Sequence, residues 1–282
     1  MPRVSVLTPI YNTNPKYLCE MIESVLNQTF TDFEFLILND SPDNIEIENI
    51  VKKYASHDKR IKYYKNENNI GITPSRNKLL ELAHGEYLAI FDHDDISLPE
   101  RLEKQVKYMD EHPYVGVVSG WLQCFGNRND ILKNPETDTK IKIHLTENCC
   151  ISHTASMIRK KVLTDNNIKY EEYYTPAEDY RLWTRLMDVT HFYNIQQVLV
   201  KYRCYDDNTT SKQLNKMLSK HDNIQCEICD KHYAYYEFFK KQCDTNQTIF
   251  RLRLFGVIPL LKIKNNKIYL FEILPIMIIK WR

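Results

Sequence analysis

Three carboxylates fall within four consecutive residues in the segment Asp92-His93-Asp94-Asp95. Carboxylates held this close repel one another, and a compensating cation relieves that repulsion. Hard divalent cations such as Mg²⁺ and Mn²⁺ take oxygen ligands and often complete their coordination shell with substrate phosphates. The segment therefore indicates either a metal site or a solvated acidic turn, and the motif alone leaves both open.

Two further polar segments each follow a short apolar run nearer the N-terminus. Pro9, Tyr11 and Asn12 follow the first run, and Asp40 lies just after the second. Each segment by itself has an ordinary loop composition. Taken together with the acidic segment, they indicate a site for a cation and a planar ligand, provided that the fold brings them to one place.

The elements that must position these residues alternate between strand and helix patterns. Strand-like runs lie at Arg3–Thr8, Phe33–Leu38, Ile61–Tyr64, Tyr87–Phe91 and Val115–Gln123, and helical spacing lies at Pro15–Gln28, Ile45–Tyr54, Ser75–Ala83 and Pro99–Glu111. This alternation predicts an α/β fold in which crossover helices join parallel strands. Because ligands of such sheets bind beyond the carboxyl ends of the strands, we expect the three polar segments to meet at one edge.

The second half of the chain gives a less regular pattern. We predict a strand at Ala155–Arg159, a helix at Glu178–Met187, a strand at Val198–Arg203 and a long helix from Ser211 to Gln242. The polar segment 127–148 is not assigned to any element.

The composition excludes several classes of protein. The 282 residues are 43% hydrophobic and 27% charged, which is typical of a globular chain with one large domain or a domain plus a smaller appendage. The 38 basic residues nearly balance the 37 acidic ones, so the chain is not a generally basic nucleic-acid-binding protein. No run reaches the roughly 18 apolar residues of a membrane span, and the N-terminal sequence does not indicate a secretion signal.

The eight cysteines do not form the pattern of a disulfide framework. They are scattered through apolar contexts, and without a secretion signal we expect them to be reduced thiols. Cys226 and Cys229 form a single CxxC pair in a predicted helix, with His221, His232 and Cys243 nearby. A zinc site is the alternative there, but a lone CxxC pair is a weak signal.

The C-terminal segment differs in charge from the rest of the chain. Residues 250–282 carry seven basic residues and one acid, hence +6, which leaves −5 for residues 1–249 because the whole chain carries +1. LFGVIPLLKIK and LFEILPIMIIK form an internal repeat whose prolines argue against one continuous helix. Apolar pieces flanked by basic residues suit an anionic membrane surface. A strand pair that completes the fold, or a dimer contact, is the alternative.

An ordered series of motifs runs along most of the chain. The segments are Val4–Asn12, Asp40, Asn69-Ile70-Gly71, Ser75-Arg76-Asn77, Asp92–Asp95, Ser152-His153-Thr154, Ser156–Lys160, Ala177–Trp183 and Leu199–Arg203. In this order they resemble the family 2 glycosyltransferases with a GT-A fold. They look most like the bacterial lipooligosaccharide, O-antigen and capsule hexosyl- and N-acetylhexosaminyltransferases. The resemblance covers roughly residues 3–212.

The resemblance implies a donor site at the first strand ends. Tyr11 would pack against the nucleobase, with Pro9 shaping the strand exit. Asp40 would accept the N3–H of uracil, since a carboxylate is a strong acceptor. Arg76 would bring positive charge to the nucleotide or the diphosphate. From the residues alone, plainer roles stay open, namely a loop aromatic, a helix-capping acid and a surface helix residue.

The resemblance also makes Asp92 and Asp94 a DxD pair. Asp94 is expected to bind the metal directly, Asp92 to contact the ribose or the metal, and Asp95 to support either. A bound Mn²⁺ or Mg²⁺ would bridge the two donor phosphates and neutralise charge that grows on the departing diphosphate.

In the second half of the chain, Asp179 matches the catalytic base of the family. Inverting transfer needs a carboxylate on the acceptor side, because the attacking hydroxyl loses its proton during the reaction. Glu178 would raise the pKa of Asp179 or orient it, although two acids at a helix N-terminus are also favoured by the helix dipole. His153 matches a position near the donor sugar or the acceptor, and Trp121 could stack on a sugar face. Both could equally be buried structural residues.

Two departures from the family pattern stand out. The second strand usually ends in Asp-Asp-Gly-Ser, whereas this chain has Asn39-Asp40-Ser41-Pro42. Relatives often carry a metal-binding His near Tyr205, and a neutral tyrosine is a poor ligand for Mg²⁺ or Mn²⁺. Asp206, Asp207 or water would have to take the place of that His.

The sequence thus predicts a metal-dependent, inverting glycosyltransferase that uses a UDP-sugar and a hydroxyl of a surface glycan or lipid-linked glycan. The expected domains are a catalytic domain over 1–210, divided near 125 into a nucleotide-sugar half and an acceptor half, a helical extension over 211–249, and the tail over 250–282. We expect a cytoplasmic protein held on the inner face of the membrane by that tail, with no nucleic-acid partner. The oligomeric state is left open.

Two other functions are kept as alternatives. A non-catalytic module would bind nucleotide or glycan and keep the fold, and the two departures above favour it. A sugar-phosphate nucleotidyltransferase also has an α/β fold and acidic metal sites, but it typically carries a Gly-rich loop after the first strand. The segment Thr8–Thr13 contains no glycine.

Overall fold

The computed structural model describes residues 1–205, 213–235 and 237, together with the strand segments 251–254, 258–264, 267–270 and 278–280. The α-helices, α1 to α8 in chain order, are Pro15–Leu26, Ile45–His57, Ile72–Leu82, Arg101–Glu111, Asp138–Leu145, Lys160–Asp165, Glu178–Leu186 and Leu214–Lys231. The strands, β1 to β13, are Val4–Ile10, Phe33–Asn39, Ile61–Lys65, Tyr87–Ile90, Ile96–Ser97, Val115–Gly126, Ile131–Leu132, Met157–Arg159, His191–Cys204, Arg251–Leu254, Ile258–Lys264, Lys267–Leu270 and Ile278–Lys280.

Strands β1 to β9 form one sheet in the order β3-β2-β1-β4-β8-β6-β9-β5, with β7 paired to β6. β1 pairs in parallel with β2 and with β4, and β2 pairs in parallel with β3. Beyond β4 the sheet is mixed, since β8 is antiparallel to both β4 and β6 while β9 is parallel to β6. The predicted α/β fold is confirmed, and the parallel strands are those that carry the first three polar loops.

Helices cover both faces of this sheet, so its central strands are buried on both sides. Val6 and Ile10 of β1 belong to one apolar cluster together with Leu18 of α1. Leu7 belongs to the other cluster, together with Trp183 of α7. The alternation along β1 divides its side chains between the two faces, as the pleat of a strand requires.

Local sequence explains where the helices begin. The Asn14 side chain accepts a hydrogen bond from the Lys16 N–H at 2.9 Å, and Pro15 opens α1, so α1 starts with a capping residue followed by proline. Asn44 accepts from the Ile47 N–H in the same way at the start of α2. Gly71, with φ of 87°, precedes α3 in the left-handed region that favours glycine.

Several predicted elements differ in extent from the observed ones. The unassigned segment 127–148 contains β7 and α5, and the strand predicted from Val198 is β9, which begins at His191. The predicted strand at Ala155–Arg159 is shortened by a 3-10 turn at His153–Ala155. The helix predicted from Ser211 to Gln242 is observed in part as α8, which ends at Lys231, and residues 211, 212, 236 and 238–242 lie outside the described part of the chain.

The C-terminal strands β10 to β13 form a separate, antiparallel four-stranded sheet. β11 and β13 belong to the two copies of the internal repeat, so the described parts of both copies are extended rather than helical. No helix in the described part of the chain combines the length and the apolar character that a membrane crossing needs.

Candidate functional site

The parallel register brings the ends of β1, β2 and β4 to one edge of the sheet. The loop after β1 is joined to the loop after β2 by a hydrogen bond from the Asn12 N–H to Ser41 Oγ at 3.2 Å. Asn12 has a φ of 45°, which turns the chain sharply there. The Tyr11 side chain beside it is 51% exposed, so a planar ligand at this edge could reach its ring.

Asp40 is nearly fully buried and its carboxylate is held by the segment that leads into α3. Its Oδ1 accepts hydrogen bonds from Asn66 Nδ2 at 2.7 Å and from the Ile70 N–H at 2.9 Å, and its Oδ2 accepts from the Gly71 N–H at 2.8 Å. A carboxylate offers about four acceptor sites, so these contacts use most of them. Asp40 therefore anchors the start of α3, and what it can still offer a ligand is limited.

The acidic loop after β4 is held on one side by the end of β9. Arg203 donates from its backbone N–H to Asp95 Oδ1 at 2.9 Å and from Nε to the Asp94 carbonyl at 2.7 Å. The Tyr205 hydroxyl donates to Asp94 Oδ2 at 2.7 Å. Burial and the Asp94 carboxylate raise the pKa of Tyr205, so the phenol stays protonated as the donor.

On its other side the acidic loop is linked to α7 by Arg76 of α3. The Nη2 atom of Arg76 lies 3.3 Å from Asp92 Oδ1, and its Nη1 atom forms an ion pair with Glu178 Oε1. Both partners raise the pKa of Arg76 despite its burial, so its charge is fixed. One guanidinium thus joins Asp92 of the acidic loop to Glu178, one of the two acids at the start of α7.

Glu178 and Asp179 occupy the first turn of α7, where the helix dipole favours acids. Asp179 Oδ1 accepts from the Tyr180 N–H at 2.7 Å, and the residue is partly exposed. Burial is the main cause that raises the pKa of both carboxyls, and Arg76 opposes it. A raised pKa brings Asp179 closer to the neutral range in which a general base works well.

His153 lies beneath this cluster as a buried, neutral side chain. Its Nε2 is 2.9 Å from the Tyr170 hydroxyl, and its Nδ1 is 3.9 Å from Asp92 Oδ1. Burial lowers the pKa of His153 to about 3. These contacts agree with the satisfied structural histidine that the sequence left open, and its role toward a sugar stays a prediction.

Trp121 stands apart from the hydrogen-bonded cluster. It lies in β6, half-buried, with the Lys133 ammonium 4.9 Å from its ring centroid. Within the described residues the indole N–H has no hydrogen-bond partner. Stacking on a sugar therefore stays a prediction. Pro9 lies inside β1, just beyond the predicted end of that strand, and its role at the strand exit also stays a prediction.

Two positioning residues were not found from the sequence. Arg101 of α4 is 1% exposed and donates to the Ile90 carbonyl at 2.7 Å, which holds the end of β4. Burial lowers its pKa to about 9. Arg203 is the second, and only its place in the Leu199–Arg203 motif pointed to it. Neither residue has a chemical signature in the sequence, because both act through contacts between distant segments.

The oxygen chemistry of the acidic loop fits a hard divalent cation. Asp92 and Asp94 are partly exposed, and Asp95 Oδ2 is buried with no hydrogen-bond partner among the described residues. Burial and the charges of Asp94 and Asp92 raise the pKa of Asp95 well above its ordinary value. No group of three or more His, Cys, Asp or Glu side chains in the described chain forms a complete ligand set. Such a cation would need further oxygens, as donor phosphates supply.

Six cysteines form no disulfide bond within the described residues, namely Cys19, Cys124, Cys149, Cys150, Cys204 and Cys226. Their reduced state stays a prediction. Cys226 lies on α8 as expected, and the described residues show no metal-ligand group there. The side chain of Cys229 and all of Cys243 lie outside the described part, as do the alternative metal ligands Asp206 and Asp207.

Comparisons with solved structures agree with this architecture. S. aureus TarS in complex with UDP superposes with a TM-score of 0.60 at 22% identity, over 87% of this chain and 75% of that one. A mannosyltransferase from Pyrobaculum calidifontis in complex with GDP-Man and Mn²⁺ gives 0.62 at 14% identity, over 88% and 76%. At these identities the likeness shows the fold, and the predicted GT-A fold is confirmed.

Comparisons with curated sequences identify the family. An uncharacterized glycosyltransferase of Methanocaldococcus jannaschii is 35% identical over 84% of this chain and 86% of its own. The O-antigen biosynthesis glycosyltransferase WbnJ of Escherichia coli is 30% identical over 86% and 91%. The sequence model described as "Glycosyl transferase family 2" matches residues 5–166. The predicted resemblance is confirmed, and the chain belongs to glycosyl transferase family 2.

Proposed function

We propose that this glycosyltransferase inverts the anomeric centre as it moves a hexose or N-acetylhexosamine from a UDP-sugar to a hydroxyl of a surface glycan. The observation that carries the proposal is the cluster around Arg76, which joins Asp92 of the acidic loop to Glu178 at the start of α7. It brings a phosphate-side carboxylate and the expected base, Asp179, to one edge of the sheet. That arrangement suits two substrates that meet between the loop and α7.

The donor would lie across the ends of β1, β2 and β4. Tyr11 offers an exposed ring for the base, and the remaining acceptor capacity of Asp40 suits the N3–H of uracil. The names of solved neighbours support a nucleotide donor, since TarS was crystallised with UDP and with UDP-GlcNAc. The Pyrobaculum enzyme carries GDP-Man, so the donor test must include guanosine donors.

Asp94 and Asp92 would hold Mn²⁺ or Mg²⁺, with Asp95 behind them. When bound, the cation supplies charge neutralisation for the diphosphate that leaves. The Pyrobaculum neighbour contains Mn²⁺, which supports a divalent metal in this fold.

In the proposed reaction, Asp179 accepts the proton of the acceptor hydroxyl. The hydroxyl oxygen forms a bond to the anomeric carbon as the bond from that carbon to the diphosphate breaks, and the electron pair leaves with the nucleoside diphosphate. Attack opposite the leaving group inverts the configuration through an oxocarbenium-like transition state. Glu178 keeps Arg76 in place, and Arg76 limits the rise in the pKa of Asp179.

A donor-turnover assay tests this function. We would incubate the protein with Mn²⁺, a glycan or lipid-sugar extract and a panel of UDP-, dTDP- and GDP-sugars, and measure the nucleoside diphosphate released. Asp179→Asn should reduce release about 10²–10⁴-fold, as loss of a general base does. Glu172→Gln, a nearby exposed acid changed in the same way, should retain activity.

The same assay distinguishes the enzyme from a non-catalytic binding module. The tyrosine at position 205, where a histidine is expected, keeps that alternative open. UDP binding without release from any donor, with every acceptor fraction, would support a binding module. Absence of both binding and release would overturn the donor site.

We further propose that residues 250–282 hold the enzyme on the inner face of the cytoplasmic membrane, where a lipid-linked acceptor would lie. The backbone register places Lys264 opposite Lys267 and Lys267 opposite Lys280. The segment carries seven basic residues and one acid, and a net charge of +6 suits an anionic surface. Each basic residue near such a surface contributes about 1 kcal/mol.

Co-sedimentation with vesicles tests the membrane contact. The full chain should bind vesicles that contain phosphatidylglycerol and not neutral ones. Lys264→Glu with Lys267→Glu should weaken that binding, whereas Lys161→Glu with Lys169→Glu in the catalytic domain should not. Equal binding to neutral vesicles would contradict the electrostatic contact.

A further inference from the structure

The end of β9 presents a tyrosine to the acidic loop at the place where related enzymes often carry a histidine. The Tyr205 hydroxyl donates to Asp94 Oδ2 at 2.7 Å. Asp92, the other member of the DxD pair, has different neighbours, Arg76 at 3.3 Å and His153 at 3.9 Å, both measured from Oδ1. The two carboxylates are therefore oriented independently, from opposite sides of the loop.

The segment that carries Tyr205 is itself fixed. Arg203, two residues earlier, forms an ion pair with Glu20 at 2.5 Å. Its guanidinium carbon lies 3.9 Å from the ring centroid of Tyr17 and 4.5 Å from that of Phe125. Two further hydrogen bonds tie Arg203 to the acidic loop, from its backbone N–H and from Nε. The contacts of Arg203 therefore fix the backbone that carries Tyr205.

We propose that Tyr205 is a positioning residue for the metal site: its hydroxyl holds one carboxylate oxygen of Asp94 and thereby presents the other to the divalent cation. This inference rests on the proposed function, because it assigns Asp94 as a ligand. A neutral phenol is a poor ligand for a hard cation, so Tyr205 acts on the metal through Asp94. Partners that orient a ligating side chain are typically worth about 10–100-fold in metal affinity.

The test removes only the hydroxyl. Mn²⁺ binding to the full chain in the presence of UDP would be measured by electron paramagnetic resonance of free Mn²⁺. Tyr205→Phe should weaken Mn²⁺ binding at least about 10-fold. UDP binding measured with EDTA should be unchanged, and saturating Mn²⁺ should restore kcat. A general structural defect would not be repaired by more metal.

Tyr17→Phe is the matched control, since its ring lies 6.0 Å from that of Tyr205. It removes a hydroxyl from the same neighbourhood, and Mn²⁺ affinity should stay at the wild-type value. An unchanged or tighter Mn²⁺ affinity in Tyr205→Phe would overturn the inference, as would an equal loss in Tyr17→Phe.

Should Tyr205→Phe be too unstable to measure, Tyr205→His carries the test. Its ring N–H can donate to Asp94, so Mn²⁺ affinity should equal or exceed that of the wild type, and a 10-fold loss would overturn the inference. Asp94→Asn separates the two proposals. Wild-type Mn²⁺ binding that Asp94→Asn abolishes and Tyr205→Phe leaves intact would overturn the role of Tyr205 alone. No Mn²⁺ binding by the wild type would overturn the metal site and this inference together.

Discussion

Asp40 and the acidic loop at 92–95 follow strands that both pair with β1, yet their negative charges are compensated by different contacts and to different extents. Asp40 accepts three hydrogen bonds, two from backbone N–H groups at the start of α3 and one from Asn66. The acidic loop holds three carboxylates. Arg76, which forms an ion pair with Asp92, is shared with Glu178, and Asp95 Oδ2 has no hydrogen-bond partner among the described residues.

This difference in charge compensation distinguishes Asp40, which stabilises the fold, from the acids at 92–95, which we propose bind a cation. The charge of Asp40 is compensated inside the protein by amides and by the N-terminal end of a helix. The charge of the acidic loop is compensated only in part, so a cation from outside would complete it. Acidic residues at strand ends can therefore be ranked by how fully the protein already satisfies them.

The largest effect that this comparison predicts is on catalysis by Asp94→Asn. Removal of one charge from the proposed metal site should lower kcat by about 10²–10³-fold, as loss of a preorganised charge-stabilising group does. The free energy of unfolding should fall little or rise, because repulsion within the loop is relieved. Steady-state nucleotide release and urea denaturation measure the two quantities.

Asp43→Asn is the control for this prediction. Asp43 is an exposed acid in the loop after β2, so its charge is removed at the same edge of the sheet. Turnover should remain near the wild-type value. If Asp94→Asn kept full activity, the charge of the acidic loop would need no cation from outside, like the charge of Asp40.

Asp40→Ala should have the opposite effect to Asp94→Asn, with a large loss of stability rather than a large loss of turnover. It removes the acceptor of the Ile70 N–H, and the Gly71 N–H and the Asn66 amide each lose one of their two acceptors. A hydrogen bond to a charged group is worth about 1.5–3 kcal/mol, so we expect the free energy of unfolding to fall by about 3 kcal/mol. Urea denaturation would measure the fall.

Asp43→Ala should change the free energy of unfolding by less than about 0.5 kcal/mol, as exposed substitutions usually do. A variant Asp40→Ala that stays as stable as the wild type, but loses UDP binding, would instead make Asp40 a ligand-binding acid of the same kind as Asp94.

The strands beneath these loops could be predicted because their sequences leave few choices. β1 and β2 are short segments in which most residues are apolar, and both were located within two residues of their observed ends. The start of α3 was predicted too late, at Ser75, beyond Pro74. Proline is tolerated in the first turn of a helix, and α3 begins at Ile72.

The acids of the site could be predicted from the sequence, but the residues that hydrogen-bond to them and position them could not. Asp92, Asp94 and Asp179 stood out by motif, whereas Arg101 looked like a surface residue of a charged helix and is 1% exposed. The bond from Arg203 to Asp95 joins residues 108 positions apart. Such contacts depend on the tertiary fold, and no local pattern in the sequence encodes them.

A pH profile tests how far Arg76 serves both acidic groups. Arg76 lowers the pKa of Asp179, whereas burial raises it above its ordinary value. A base must be deprotonated, so kcat/KM should fall as the pH drops through this raised pKa. Arg76→Gln removes the lowering influence, so the acid limb of the profile should move to higher pH.

Arg76→Lys keeps the positive charge and should leave the acid limb near its wild-type position, whatever it does to the absolute rate. A limb that does not move in Arg76→Gln would show that Asp179 is insulated from Arg76, and the link between the acidic loop and α7 would then be structural only.

The smallest expected effect concerns Tyr11, the exposed ring between the two loops. Stacking of a base on an aromatic ring is worth about 1–3 kcal/mol, so Tyr11→Ala should weaken UDP binding about 10-fold, and Tyr11→Phe should keep most of the affinity. Calorimetric titration with UDP measures both. Tyr114→Ala changes another exposed tyrosine, just before β6, and should bind UDP like the wild type. If Tyr11→Ala also bound UDP like the wild type, the base would lie elsewhere. The unused acceptor capacity of Asp40 would then have no partner, and Asp40 would be left with its structural role alone.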